Sequence, residues 1–534
     1  MDKWRALVVL SLAQFLMVLD QAVMNVSISQ LVEDFDTTVT AIQGVITFYS
    51  LTMATLMLTG GKVGDILGRR RAFTVGLVIY ATGSALTAVS WSVGSLLVGW
   101  SILEGVGAAL VLPALVALIA SNYEGRDRVA AFGVIGGVSG VGIAVGPIVG
   151  GFFTTALSWR LVFVGEVIIA AVIVLLVRWI RDAPVERKPK LDVVGAILSA
   201  VGLGMIVIGA LQSSTWGWVQ PKNSPIEPFG FALTPFVIFG GFFVLWLFRV
   251  WEERRERHGQ DPLVKLALLD IPALRSGLGS FLAQNTILLG IFFILPLYFQ
   301  IVLGFNALET GIRMLPISIA MFITSTSGPA LAARFAPKRI VQAGFVTLVL
   351  ASFLLLGRIE PMLDSFGVTI SLTVLGIGMG LIASQLGNII QSSVEPNDRG
   401  EAGGLQYTAQ QLGSALGTAL IGAIVIGALV AAFVDNIASD ESIPADVSEA
   451  IEIEVSAEAS YVSAEQVDTA LRDAGLDDET TGDVVAGYED AQLEALKYGL
   501  LAAAFIALFA LFTTRNLPDK KLSEDEPEPA ESET

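Results

Sequence analysis

A short charged loop, Gly61-Lys62-Val63-Gly64-Asp65-Ile66-Leu67-Gly68-Arg69-Arg70-Arg71, separates two apolar runs at residues 41–60 and 72–91. Its glycines permit a tight turn and a close approach of the flanking segments. Asp65 can accept hydrogen bonds from the start of a helix and can pair with Arg69. Basic residues also accumulate in the connections on one side of a membrane. The loop therefore predicts two antiparallel membrane helices joined by a charged turn.

The composition is that of a polytopic membrane protein. The chain has 534 residues, of which 54% are hydrophobic and only 15% are charged, whereas soluble proteins carry about 25% charged residues. It has no Cys and one His, so disulfide frameworks, thiolate sites and multi-histidine metal sites are excluded. The net charge of −18 is local: residues 435–494 hold 18 acids and one base, and residues 524–533 hold six acids and no base.

Fourteen runs are long and apolar enough to cross about 30 Å of hydrocarbon. They are 6–30, 41–60, 72–91, 95–120, 131–156, 161–180, 193–212, 229–251, 274–302, 310–332, 340–357, 366–390, 404–434 and 498–514. With the N-terminus in the cytoplasm, the inner segments hold 26 bases and the outer segments hold 6. This split predicts that both termini are cytoplasmic and that the helix count is even.

The predicted fold is all-α, with two six-helix bundles and an inserted two-helix hairpin. The predicted divisions are 1–182 for the N-terminal bundle, 183–260 for the hairpin and its linkers, 261–434 for helices 9–13, 435–497 for an acidic extracellular loop, 498–515 for helix 14 and 516–534 for an acidic disordered tail. Within the acidic loop, Ala464–Asp473 and Val484–Leu496 have the pattern of short amphipathic helices. A solvated, partly disordered loop is an equal alternative.

Run 131–156 contains the sequence Gly142-Ile143-Ala144-Val145-Gly146-Pro147-Ile148-Val149-Gly150-Gly151. Pro147 removes a backbone hydrogen bond and is expected to bend the helix. The glycines at 142, 146, 150 and 151 are expected to permit close packing against the opposing bundle. Ordinary small-residue packing explains the glycines, but it explains the Gly-Pro-x-x-Gly-Gly order less well.

These motifs resemble those of the major facilitator superfamily. Gly61, Asp65, Gly68, Arg69 and Arg70 match its signature loop, which the resemblance implies is a gate. The Gly142–Gly151 stretch resembles the antiporter signature of its exporters, and fourteen runs resemble its drug/proton antiporter branch. A degenerate copy of the loop, Gly328 to Arg339, lacks the acid and marks an internal repeat.

The departures from that family concern charge. In helix 4 the family's arginine is replaced by Ser101 and its glutamine by Glu104, while in helix 6 Glu166 replaces an asparagine. With Asp20, these give three intramembrane acids. Such acids are costly and usually face a cavity or a partner, so Asp20, Glu104 and Glu166 are the predicted proton-coupling or substrate residues. Arg160 is expected to neutralise Glu166.

The remaining polar positions inside the predicted helices suit substrate positioning. They are Asn25, Gln284, Asn285, Gln385, Asn388, Gln406, Tyr407 and Gln410. The resemblance implies alternating-access export of amphipathic, cationic compounds from a cell by proton antiport, with sodium left open as the coupling ion. No cofactor, nucleic acid or obligatory protein partner is expected, and no constellation of an enzyme is present. A lipid or glycolipid exporter, or a non-transporting membrane receptor or scaffold, remains the alternative.

Overall fold

The computed structural model describes residues 4–37, 39–182, 190–361, 364–439, 463–473 and 477–520, which form helices and no strands. The N-terminal half comprises α1 Arg5–Val26, α2 Ile28–Asp34, α3 Val39–Leu67, α4 Arg69–Ala88, α5 Val93–Leu96, a π-helical segment Leu97–Glu104, α6 Gly105–Asn122, α7 Gly125–Ala156 and α8 Arg160–Leu176. The hairpin comprises α9 Val193–Trp216 and α10 Leu233–Arg257.

The C-terminal half has the same long-helix character. It comprises α11 Pro272–Pro296, a π-helical segment Leu297–Val302, α12 Ala307–Thr326, α13 Gly328–Ala332, α14 Pro337–Leu356, α15 Ser365–Ser392, α16 Arg399–Ser439, α17 Ala464–Asp473 and α18 Asp478–Thr513. Side-chain hydrogen bonds cap the first turns of several of these helices. Asn306 and Glu309 form a capping box before α12, and the Asp477 carboxylate accepts backbone hydrogen bonds at the start of α18.

Twelve of the described helices are long and apolar enough to cross a membrane. Two further helices of 20 residues, α4 and α12, correspond to the predicted runs 72–91 and 310–332 but fall outside those twelve. Charge explains the difference for α4, because three arginines fill its first turn. Both helices are nevertheless packed into the bundles, α4 against α6 and α8, and α12 against α7 and α15.

Each half has its own hydrophobic core, and the halves meet along two groups of helices. On one side α7 packs against α12 and α15, and on the other α3 packs against α16. The hairpin lies beside the second group, because α9 contacts both α3 and α16. The end of the molecule that carries the Gly61–Arg71 loop is called the basic end below.

The acidic segment is only partly as expected. Helix α17 occupies the predicted range Ala464–Asp473, whereas Val484–Leu496 is not a separate short helix but the first part of α18. The predicted boundary between 497 and 498 therefore falls inside one continuous helix. Residues 440–462 and the predicted tail from 521 onward lie outside the described residues, as do the linker residues 183–189.

Candidate functional site

The three predicted acids meet inside the N-terminal half. Asp20 lies on α1, Glu104 ends the first π-helical segment, and Glu166 lies on α8. One carboxylate oxygen from each lies within 4.8 Å of the other two. Each side chain is at most 1% exposed. Three helical elements from across the bundle thus bring together one carboxylate cluster, which is called the acid triad below.

Asp20 is held by an aromatic pair. The Trp100 indole Nε1 donates to Asp20 Oδ1 over 2.7 Å, and the Trp100 ring stacks on Tyr49 with 4.4 Å between centroids. Trp100 belongs to the π-helical segment, a geometry that recurs at functional sites. Sequence reasoning did not identify this support, since nothing in the pattern distinguished Trp100 from a core aromatic.

Helix α4 supplies the hydroxyl groups for the two glutamates. Tyr80 and Ser84 each donate to Glu166 Oε2 over 3.1 Å. Thr87, one turn further along the same face, donates to Glu104 Oε1 over 3.2 Å. Gly83 lets the chains approach, because an added Cβ there would lie 2.7 Å from Glu104 Cγ.

Each acid keeps one oxygen without a hydrogen-bond partner among the described residues. These atoms are Asp20 Oδ2, Glu104 Oε2 and Glu166 Oε1. No base compensates the triad within the described residues. The expected neutralisation of Glu166 by Arg160 is wrong, because the Arg160 guanidinium instead pairs with Asp34 at 2.5 Å. Three buried carboxyl groups at this spacing repel one another when ionised, so the arrangement suits uptake and release of protons.

Ser101, which stands where the resemblance expects arginine, has a packing role here. Its hydroxyl donates to the Val45 carbonyl over 2.7 Å and is fully buried. The side chain therefore ties the π-helical segment to α3. At the position where the resemblance expects an arginine side chain, the Ser101 hydroxyl thus makes a contact between helices and supplies no positive charge to Asp20 and Glu104.

A second group of predicted residues closes the basic end. Gly68 joins α3 to α4 with φ +93°, a conformation that favours glycine. Asp65 lies 3.7 Å from Arg69, and Arg69 donates to the Pro396 carbonyl over 2.5 Å. The Asp65 carboxylate also lies against Gly400 at the start of α16. Asp65 thus lies beside a helix N-terminus of the other half, but its Oδ2 has no hydrogen-bond partner among the described residues, so the predicted hydrogen bonds from a helix start stay a prediction.

Two further loop residues have different roles. Gly61 permits contact between the halves, since an added Cβ would lie 2.5 Å from the Gly400 carbonyl oxygen. Arg70 turns away from the interface. Its guanidinium donates to the Ile180 carbonyl, and its backbone N–H donates to Asp182, both over 3.3 Å.

A buried ion pair at the basic end was missed by sequence reasoning. Lys62 and Glu401 form an ion pair of 2.6 Å, and both side chains are 4% exposed. The second Glu401 oxygen accepts from the Lys265 backbone N–H over 3.0 Å. The signal available was Glu401 itself, an acid placed three residues before the apolar run 404–434.

Lys265 extends this network to the linker after the hairpin. Its ammonium group lies 2.5 Å from Asp398. Burial opposes the charge on Lys265, but the hydrogen bond and the attraction from Asp398 outweigh it and raise the pKa of Lys265. Leu263 and Val264, directly before it, are buried against Leu58 of α3 and neighbouring apolar side chains. The linker therefore lies across the contact between the halves.

The glycine-proline motif of α7 packs differently from the prediction. Added Cβ atoms at Gly142 and Gly150 would meet Val18 at 2.9 Å and Val23 at 3.2 Å, and one at Gly146 would meet Ala22. All three partners belong to α1 of the same half, so the expectation of packing against the opposing half is wrong. Gly151 is buried, and the Pro147 side chain lies outside the described residues.

The contact between α7 and the opposing half is made nearer its start. Added Cβ atoms at Gly136 and Gly137 would lie 2.7 Å from Ser325 and Phe322 of α12. Ser325 Oγ donates to the Gly133 carbonyl over 2.7 Å. Gly136 and Gly137, which precede the Gly142–Gly151 motif, therefore make the close contact with the opposing half that was expected of the motif.

The predicted polar positions do not form one cluster. Gln284 donates to the Met379 carbonyl and Gln385 to Ser384, so both lie inside the C-terminal half, while Asn285 donates to its own helix. Gln410 is partly buried, and the Asn25 side chain lies outside the described residues.

Three of these positions lie at or near the contact between the halves. Tyr407 donates to Gln14 over 3.0 Å, and Asn388 accepts from Arg128 over 2.8 Å. Gln406 is buried with its Oε1 unpartnered among the described atoms. These contacts show that polar residues of the C-terminal half reach the N-terminal half, whereas the acid triad lies entirely within the N-terminal half.

The all-helical fold agrees with comparison to known proteins. A family model for the Major Facilitator Superfamily matches residues 10–418. The chain belongs to the major facilitator superfamily. Among relatives of this facilitator, the Tetracenomycin C resistance and export protein of Streptomyces glaucescens is 28% identical, covering 99% of this chain and 94% of that one.

A second relative and a solved structure extend the comparison. The Puromycin resistance protein of Streptomyces alboniger is 33% identical, covering 81% of this facilitator and 84% of its own length. A crystal structure of a human organic anion transporter superposes with a TM-score of 0.59 and 15% identity, covering 96% of this chain and 99% of that one. At that identity the superposition shows the fold alone.

Proposed function

We propose that this facilitator is a secondary active exporter that expels amphipathic, cationic compounds by proton antiport and alternating access. Relatives named for antibiotic export and resistance support export of small molecules. The acid triad is the observation that carries the coupling proposal. It is buried, it has no compensating base among the described residues, and it can change its proton load without a metal or cofactor.

The closed basic end supports an alternating-access cycle. The Lys62–Glu401 pair and the Arg69–Pro396 contact join the two halves at this end. Breaking them would let the halves separate there, as rocking of two repeats about a central site requires. In the proposal, protonation of the triad in the N-terminal half changes the balance between this closed state and one open at the basic end.

The proposed topology places fourteen helices across the membrane and the basic end in the cytoplasm of the cell. It adds α4 and α12 to the twelve apolar spans, because both are packed among them. The chain has no native cysteine, so single introduced cysteines report the topology cleanly. Thr469→Cys on α17 should react with an impermeant thiol reagent in intact cells. His258→Cys at the basic end should react only after the membrane is opened; the reverse pattern contradicts this orientation.

The decisive experiment measures transport in proteoliposomes with separately imposed proton and sodium gradients. Ethidium serves as the cationic probe, and a fluorescent phospholipid tests the lipid-exporter alternative. The proposal predicts proton-driven ethidium movement accompanied by proton counterflow. Ethidium transport driven by sodium alone would replace the proton as the coupling ion. Lipid transport without ethidium transport would favour the lipid exporter, and absence of both would favour a receptor or scaffold.

A further inference from the structure

A cleft on the outer surface of the N-terminal half has the chemistry of a phospholipid site. It lies at the basic end between the start of α4 and the end of α8, which continues into the turn Val177–Trp179. Its volume is about 520 Å³. None of its lining residues belongs to the acid triad or makes a contact between the halves described above, so the cleft is not part of the transport site.

The polar rim of this cleft is basic. Arg70, Arg71 and Arg178 contribute to its lining. Arg70 is anchored by the Ile180 carbonyl and by Asp182, which is the nearby acid. The side chains of Arg71 and Arg178 are exposed, and their guanidinium groups make no hydrogen bond or ion pair within the described part of the chain. Two guanidinium groups are therefore available for an anionic ligand, and guanidinium favours bidentate contacts with phosphate.

The walls of the cleft are apolar. Leu67, Val75 and Leu175 line it and are 45%, 44% and 72% exposed. A soluble phosphate would use the arginines and leave these side chains in water. A lipid headgroup at the arginines would instead place its acyl chains along the apolar wall formed by α4 and α8. Basic pockets between membrane helices are known to suit anionic headgroups.

We propose that this cleft binds an anionic glycerophospholipid, with its phosphate at Arg71 and Arg178 and its acyl chains along the wall at Val75 and Leu175. The lipid is a bound structural ligand on the outside of the bundle and not a transported substrate. Its site adjoins Arg69, which contacts Asp65 and Pro396. An occupied cleft thus restrains the first turn of α4, which supplies Arg69 to the contact between the halves.

The test counts lipids bound to the purified full-length protein by native mass spectrometry. Phosphatidylglycerol and phosphatidylcholine with identical acyl chains are titrated, so that only the headgroup charge differs. The double variant Arg71→Gln/Arg178→Gln should bind phosphatidylglycerol about 30-fold more weakly, on the basis of two basic residues near a membrane surface. Arg71→Lys/Arg178→Lys keeps both charges but not the bidentate geometry, so it should lose less affinity than the glutamine variant; this covers the case in which the glutamine variant folds poorly.

The matched control is Arg334→Gln/Arg339→Gln, which removes two exposed bases from the corresponding loop of the C-terminal half. This control should bind phosphatidylglycerol like the unmodified protein. Equal loss in both double variants would overturn the site, because it would show a general effect of charge. Equal binding of the two lipids would overturn the anionic assignment, and displacement by inorganic phosphate would overturn the lipid assignment.

Discussion

The two halves of this facilitator pack corresponding helices through the same kind of glycine contact, but the polar side chains buried inside them differ. In the N-terminal half, Gly142, Gly146 and Gly150 bring α7 against α1. In the C-terminal half, Gly413 and Gly417 bring α16 against α11, since added Cβ atoms would lie 3.0 Å from the Leu282 carbonyl carbon and 2.9 Å from that of Thr286. The same close approach therefore recurs between corresponding helices, as expected for an internal repeat.

The buried polar groups differ where the backbone packing agrees. The N-terminal half encloses the acid triad, whereas the buried polar side chains of the C-terminal helix α15 include the amides Gln385 and Gln391. Amides cannot change charge, but carboxyl groups can. The difference indicates that a repeat constrains helix packing more tightly than it constrains chemistry. Under the proposed function, one half carries the proton and the other half responds to it.

The largest effect should come from removing the charge change in the N-terminal half. Asp20→Asn keeps an oxygen for the Trp100 indole while removing a titratable group. We expect proton-driven ethidium export to fall to background, whereas ethidium exchange without a proton gradient continues. Gln284→Leu is the matched control in the other half, since it removes a buried amide and should leave the proton-to-substrate ratio unchanged. An unchanged pH profile in Asp20→Asn and in Glu166→Gln would remove the triad from the coupling mechanism.

The sequence was sufficient to predict the long helices and the three acidic residues of the triad. It was not sufficient to predict that their carboxyl groups lie next to one another. Depth counted along ideal helices places Glu166 nearer the outer face than Asp20 and Glu104, whereas the structure brings the three carboxyl groups together. The π-helical segment before α6 changes the register at Glu104, and no pattern in the sequence marks it. The donors Tyr80, Ser84 and Thr87 also required the structure, since hydroxyl groups on a membrane helix are common.

The sequence also did not predict which distant segments contact one another. Lys62 was counted as a topological charge, although its partner Glu401 lies 339 positions away. A single sequence carries no signal for such a pairing. The direction of the α7 glycine face was missed for the same reason, because small residues indicate that a helix is approached closely but not which helix approaches it.

The next effect should arise where the two halves meet at the basic end. Glu401→Gln leaves Lys62 buried without its anion, and loss of one partner of a buried pair costs about 3–5 kcal/mol. We expect this cost to destabilise the closed state, so that a cysteine replacing Gly64 becomes more reactive. Glu253→Gln, which disrupts exposed pairs with Arg249 and Arg257, is the control for a lost charge at this end. Equal reactivity in the two variants would show that the Lys62–Glu401 pair does not hold the halves together.

The glycine contacts that the two halves share give a test with a smaller expected effect, made once in each half. Gly146→Ala and Gly417→Ala each add a methyl group at a close helix contact, and overpacking of this kind costs about 1–3 kcal/mol. The two variants should be comparably damaging, because the methyl group at Gly417 meets the Thr286 backbone and the one at Gly146 meets Ala22 Cβ, which is fixed to its own backbone. Gly427→Ala on α16 is the control, since nothing lies within 4 Å of its added Cβ. Thermal unfolding in detergent measures all three, and a loss of stability in the control equal to that at Gly417 would contradict the packing argument.

The smallest effect concerns a contact within the N-terminal half, between Asp34 at the end of α2 and the Trp159–Arg160 pair at the start of α8. Burial opposes the Asp34 charge, but hydrogen bonds from Trp159 and Arg160 outweigh it and lower the pKa of Asp34. The contact therefore stabilises the fold at a pH above the unfolded pKa of Asp34, and the stabilisation is lost as the pH falls through the lower, folded value. Asp34→Asn should reduce the free energy of unfolding at pH 7 by about 0.2–1 kcal/mol, since the pair is partly exposed. The difference from the unmodified protein should shrink in thermal unfolding at progressively lower pH, and Glu33→Gln, one residue earlier, should show neither effect. A difference for Asp34→Asn that grows on acidification would reverse the assigned role of the carboxylate.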